Sequence, residues 1–143
     1  MEYIALITFL LNLSTSSITV NDKEINKVNL ESKFDLINKF WTPKIVGELN
    51  GQHVKIAKFK GEFVMHNHKD EDELFFVING TLYIELKNKV IELKSGEFVV
   101  IPKGVEHKPY SKDEVSVLLF EPKSTLNTGN IHNKFTISNI EKI

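Results

Sequence analysis

The stretch ELFFVINGTLYIELKNKVIELKSGEFVVIP, residues 73–102, decides the fold class of this chain. Apolar residues recur at every second position, which is the period of a strand and not of a helix. Turn-forming residues punctuate the runs at Asn79-Gly80, Lys87-Asn88-Lys89 and Ser95-Gly96. Upstream, Asn50-Gly51 between KIVGEL and QHVKIAKF is a strong hairpin signal. Downstream, Lys112-Asp113-Glu114 precedes VSVLLF and reads as one more turn before one more strand. Short strands at regular spacing predict an all-β sandwich or barrel built from antiparallel hairpins.

Outside that block the pattern changes. Residues 29–40, NLESKFDLINKF, place Leu30, Phe34, Ile37 and Phe40 on one helical face, with Asn29 or Ser32 as the cap. Pro43 prevents the helix from continuing. The tail after Pro122 is polar and weakly patterned, and reads as a wrap over the surface. Residues 1–20 are a distinct apolar segment of open status ahead of a single domain spanning 21–143. Tyr3 to Leu13 is about half the roughly 20 residues that a membrane-spanning helix needs. Small residues at 14–17 would suit a signal-peptide cleavage region, but Glu2 without a lysine has the wrong sign. The expected location is cytoplasmic, with secretion the alternative if residues 1–17 act as a signal peptide.

Composition narrows the partners. At 143 residues, 41% hydrophobic and 26% charged, the chain has ordinary globular character. Eighteen basic residues against 19 acidic ones give a net charge of -1, so no electrostatic case exists for nucleic acid or an anionic membrane. The absence of cysteine excludes disulfides, a thiol nucleophile and thiolate-bound metal. Every basic residue is lysine, which argues mildly against a phosphorylated substrate, because arginine's fork is the bidentate phosphate binder. The expected partner is a small molecule. Several strands are apolar on both faces: Phe75 and Val77 oppose Leu74, Phe76 and Ile78, and residues 98–101 and 117–120 repeat the pattern. A single antiparallel sheet normally keeps one wet face. Terminal segments or a second subunit must therefore cover the other, and a homodimer is expected.

The chemistry concentrates in three of the five histidines. His66 and His68, two apart in FVMHNH, leave a strand on one face. Glu73 follows beyond the acidic turn at residues 69–72 and opens the next strand, while His107 comes after Pro102-Lys103-Gly104. His-x-His alone more often decorates a solvated face than binds a metal. Three imidazoles and a carboxylate, if gathered, suit a divalent transition ion (Fe, Mn, Ni, Co, Zn or Cu) better than calcium or magnesium.

The glycines and prolines around these histidines make the chain resemble the cupin superfamily, and in particular its small single-domain, type-2-like members. Motif 1, residues 61–80, reads Gly61-EFVM-His66-N-His68-KDED-Glu73-LFFVIN-Gly80. Motif 2, residues 96–111, reads Gly96-EFVVI-Pro102-K-Gly104-VE-His107-KPY-Ser111, and fifteen residues separate the two. Two departures stand out: four residues instead of five lie between Gly61 and His66, and Ser111 replaces the usual asparagine. The resemblance implies a double-stranded β-helix, the jelly-roll barrel, with one short N-terminal helix. It also implies one divalent transition metal held inside by His66, His68, Glu73 and His107. Val64, Phe75, Val77 and Ile84 would line the pocket, with Leu82 and Leu86 in support. Tyr83, Tyr110 and His53 are weaker candidates. The family's breadth leaves the reaction open among oxygenase, isomerase, lyase and decarboxylase. The expectation is a metal-dependent enzyme acting on a small polar metabolite. The alternative is a non-catalytic cupin that binds or senses a small ligand or metal.

Overall fold

The computed structural model describes residues 25–143. The apolar segment at 1–20 and the question of a leader peptide lie outside the described residues. No described helix is long and apolar enough to cross a membrane.

The strands follow the turn chemistry. β1 (Lys44–Leu49) and β2 (Gln52–Glu62) form the hairpin expected at Asn50-Gly51. Both turn residues have positive φ, 49° and 76°, which the tight primed turns of two-residue hairpins require. β3 (Glu73–Asn79), β4 (Thr81–Leu86), β5 (Lys89–Lys94) and β6 (Phe98–Ile101) follow, and β7 (His107–Pro122) closes the set. All pairings between strands are antiparallel, in the order β1-β2-β7-β3-β6, with β4 on β7 and β5 on β4. This is the jelly-roll barrel.

β7 is the strand on which the barrel is built. One edge pairs with β2 along nearly its whole length, from Glu62 opposite Tyr110 to Gln52 opposite Pro122. The other edge serves two partners: residues 107–110 pair with β4, and residues 116–120 pair with β3. Lys112-Asp113-Glu114 is therefore not a turn. The register against β2 slips there, from Phe59 opposite Val115 to Gly61 opposite Ser111, so the polar triplet is a bulge inside one 16-residue strand. Asn79-Gly80 is likewise no hairpin, since β3 and β4 do not pair; it carries the chain from one half of β7's edge to the other. Gly80 has φ 95°, and a Cβ there would lie 2.9 Å from the Glu114 carbonyl oxygen. The corner thus packs directly on the bulge, and only glycine fits.

Inside the barrel lie Phe59, Phe63, Phe75, Val77, Leu82, Ile84, Leu93, Ile101, Val115, Val117 and Leu119, with Trp41 stacked on Phe59 at 4.2 Å. The helix α1 (Leu30–Phe34) is shorter than its apolar periodicity suggests. Asn29 caps it by accepting from the Ser32 N–H at 3.0 Å. Beyond it the chain turns twice, with Trp41 at φ 57° and its indole N–H donating to the Lys60 carbonyl at 2.9 Å. Phe34 and Ile37 still bury, with Val46 and Ile56, on the outer face of the sheet, while Phe40 is partly exposed. One part of the second apolar face is thus covered by α1 and the terminal Ile143. The rest is not: Phe98 is 62% and Val100 47% exposed, beside half-buried Leu74, Phe76 and Phe120.

The tail does more than wrap the surface. Thr125 and Thr128 are buried, Phe135 packs on Phe63 at 5.1 Å, and Ile143 joins β1 through its N–H to the Ile45 carbonyl.

Candidate metal centre

His66 lies just beyond β2, in an isolated bridge and not within a regular strand. Its backbone pairs with that of His107, N–H to carbonyl in both directions at 3.0 and 2.9 Å. That reciprocal bridge fixes the two imidazoles on one side of the opening. His68 follows on the same face. Its carbonyl accepts from the Gly104 N–H, so the Pro102-Lys103-Gly104 turn is tied to the His-x-His segment. The tail seats on the other side: Asn130 N–H donates to the Asn67 carbonyl, and Asn130 Oδ1 accepts from the Asn67 N–H. Gly129, at φ 51°, crosses so closely that a Cβ would meet the Asn67 oxygen at 2.0 Å and His68 Nδ1 at 3.2 Å. Glu73, the first residue of β3, points inward from the neighbouring strand.

The four side chains converge. Their ligand atoms all lie within 4.8 Å of one another, and all four residues are buried. Glu73 Oε2 is 3.1 Å from His68 Nε2 and 3.2 Å from His107 Nε2. His66 Nδ1 is 3.0 Å from the Val64 carbonyl, and His107 Nδ1 is 3.0 Å from the Val105 carbonyl. A carbonyl can only accept, so each Nδ1 carries its proton there, and in the neutral ring Nε2 presents a lone pair to the centre. Neutral rings therefore turn acceptors onto a carboxylate, and His66 Nε2 is buried with no partner among the described residues. Such a set is unfavourable when empty of positive charge and favourable around a cation. The residues fit a divalent transition ion.

The electrostatics show the same demand for positive charge, which a proton on a histidine Nε2, donated to Glu73, meets where no cation is bound. Burial pushes His66 down, with the charge of His107 adding to it, to about 4, so the ring stays neutral and able to ligate. Burial opposes ionisation of Glu73, but hydrogen bonds from His107 and His68 outweigh it and hold the carboxyl well below the usual range. Burial depresses His107, yet the Glu73 carboxylate more than reverses this and raises it.

The site opens into a narrow cavity of about 30 Å³, walled by Trp41, Phe59, Phe63, Phe75 and Leu119. Its polar lining is His66, Glu73, Glu121 and Asn127. Of the expected pocket residues, Phe75 lines this space. Val77 and Ile84 are fully buried in the core, and Val64 is half-buried with its carbonyl orienting His66. Tyr83 and Tyr110 stack on each other at 5.0 Å, and His53 lies 3.8 Å from Glu48; none of the three contributes to the cavity lining.

Several lining residues escaped the reading of the sequence. Trp41 and Asn127 come from irregular segments with no motif around them. Glu121 and its partner Lys55, by contrast, had a signal: Glu121 continues the inward phase of Val115, Val117 and Leu119, and Lys55 that of Ala57 and Phe59. Opposite charges on inward phases of paired strands point to a buried ion pair, and Lys55 Nζ is indeed 2.6 Å from Glu121 Oε1.

The chain is similar to known proteins. The family described as Cupin domain matches residues 52–121. The uncharacterised protein YdbB of Bacillus subtilis (strain 168) is 42% identical over 67 residues, 46% of this chain. The match spans 59% of that relative's length, under two thirds of it. A cupin-2 domain containing protein from Shewanella frigidimarina, of known crystal structure, is 46% identical over 67% of this chain and 94% of its own, with a TM-score of 0.66. A Neisseria meningitidis protein of known structure is 26% identical over 68% of this chain and 100% of its own, with a TM-score of 0.64.

Proposed function

Since this chain belongs to the cupin family, we propose that it is a metal-dependent enzyme whose ion is held by His66, His68, Glu73 and His107. Its substrate is a small molecule in the adjoining cavity. The observation that carries the reading is the tautomer arrangement: two Nδ1 protons are committed to backbone carbonyls 3.0 Å away, so lone pairs face the centre. When bound, a divalent transition ion supplies a Lewis acid or a site for dioxygen activation. The chain's own residues do the rest. The Val64 and Val105 carbonyls hold the rings in orientation, and the aromatic wall keeps water out and sharpens electrostatic contacts. His66 and Glu73 line the cavity, so a molecule there adjoins the ion. A purely structural ion would have no need of such an opening.

Elemental analysis of the purified protein tests this directly. About one equivalent of a transition ion per chain is expected in the wild type and a small fraction of that in His66→Ala. A wild type that is isolated without an ion, and takes up none on titration, refutes the reading. The uncovered apolar stripe at Phe98, Val100, Leu74, Phe76 and Phe120 further supports a homodimer that pairs through this sheet face.

A further inference from the structure

The Lys55–Glu121 pair is not needed to hold a metal, and it is an expensive thing to bury. Lys55 is fully buried and Glu121 is 2% exposed. Replacing such pairs by apolar residues is often neutral or stabilising. Placement suggests what the pair does. Leu74 pairs with Phe120 and Phe75 with Leu119 across the β3–β7 ladder, so the next step of that register sets Glu73 opposite Glu121. Both then face inward, and both line the aromatic cavity. Lys55 occupies only Oε1; Oε2 is buried and has no partner among the described residues.

We infer that Glu121, held in place by Lys55, is the second polar anchor of the cavity and binds a hydroxyl group on a small, flat, largely apolar ligand. The inference rests on the cavity's being the ligand site. A buried oxygen without a partner is costly, and a ligand group that satisfies it gains the difference. Burial, followed by the Glu73 charge, pushes the Glu121 carboxyl up to about 8, against the pull of Lys55. A hydroxyl suits the group in either state, because it can donate to a carboxylate or accept from a carboxylic acid. The walls choose the rest of the molecule. Trp41, Phe59, Phe63 and Phe75 offer ring surfaces and few hydrogen bonds, which fits a ring better than a sugar.

The probes are phenol and toluene, which are nearly the same size and differ in a hydroxyl. Trp41 is the chain's one tryptophan and lines the cavity, so its fluorescence, excited beyond the absorption of phenol, reports occupancy. The full-length protein as isolated should bind phenol about tenfold more tightly than toluene. That preference should survive chelator treatment. It should vanish in Lys55→Met/Glu121→Met, with toluene affinity unchanged, while the double variant still takes up metal like wild type. A preference that persists in the double variant, that disappears on chelation, or that is absent from wild type overturns the assignment. So does failure of wild type to bind either probe. A wild type that prefers phenol yet takes up no ion removes the metal reading and leaves this one standing. Should the double variant not fold, a wild-type crystal soaked in phenol decides: the hydroxyl on the Glu121 carboxyl supports the assignment, and any other position overturns it.

Discussion

Gly129→Ala is a sharp test of how the histidine segment is held. Two separate costs apply at this position. The backbone is at φ 51°, where an alanine pays about 1 kcal/mol. In addition, its Cβ would sit 2.0 Å from the Asn67 carbonyl oxygen, a backbone atom that cannot swing aside. The tail must lift, and lifting breaks the two hydrogen bonds between Asn130 and Asn67, each worth about 1 kcal/mol. The expected loss is about 3 kcal/mol, which for a domain of this size lowers the melting temperature by roughly 10 °C. Because His68 lies under the same crossing, metal affinity should also fall by about tenfold. Gly61→Ala is the control, since its φ of 79° carries the same strain with nothing within 4 Å of the new Cβ. Thermal melts and metal titrations of both variants give the answer. If both variants lose only about 1 kcal/mol and both bind metal normally, the tail is not seated on the histidine segment and the argument fails.

Acid should destabilise the metal-free protein through His66. Its folded value of about 4 lies below the ordinary 6.5, so the unfolded chain binds the proton more readily in between. Stability is therefore full above about pH 6.5 and falls by up to about 3 kcal/mol towards pH 4. Urea midpoints of chelated wild type against His66→Asn measure this, and parallel pH dependences in the two would count against it. Glu121 works in the opposite sense. Its raised value makes the metal-free protein lose stability as pH climbs from about 4.5 to 8, and Glu121→Gln should flatten that slope. Phe98→Asp, on the uncovered sheet face, should convert a dimeric mass in light scattering to a monomeric one with little change in melting temperature. A monomeric wild type at micromolar concentration removes the dimer.

The sequence by itself determined what depends on neighbouring residues. Period-two alternation made the strands between residues 44 and 122, and the positive φ available at Asn50-Gly51 made a hairpin, because both are local preferences of the backbone. The spacing of His66, His68, Glu73 and His107 was legible for the same reason: glycine and proline positions set where each segment turns. Tertiary structure decided everything that depends on which strand lies beside which. The dipeptide Asn-Gly is a hairpin at 50–51 and a sheet-crossing corner at 79–80, and nothing local separates them; the difference is that β7 offers β3 and β4 separate halves of one edge. The same competition turned Lys112-Asp113-Glu114 from an apparent reversal into a bulge. The unmotivated tail proved to clamp the His-x-His segment, since its contacts depend on a missing Cβ at Gly129 rather than on any pattern. Lys55 and Glu121 are 66 residues apart in the chain, and only the β2–β7 ladder brings their charges to 2.6 Å at the wall of the cavity.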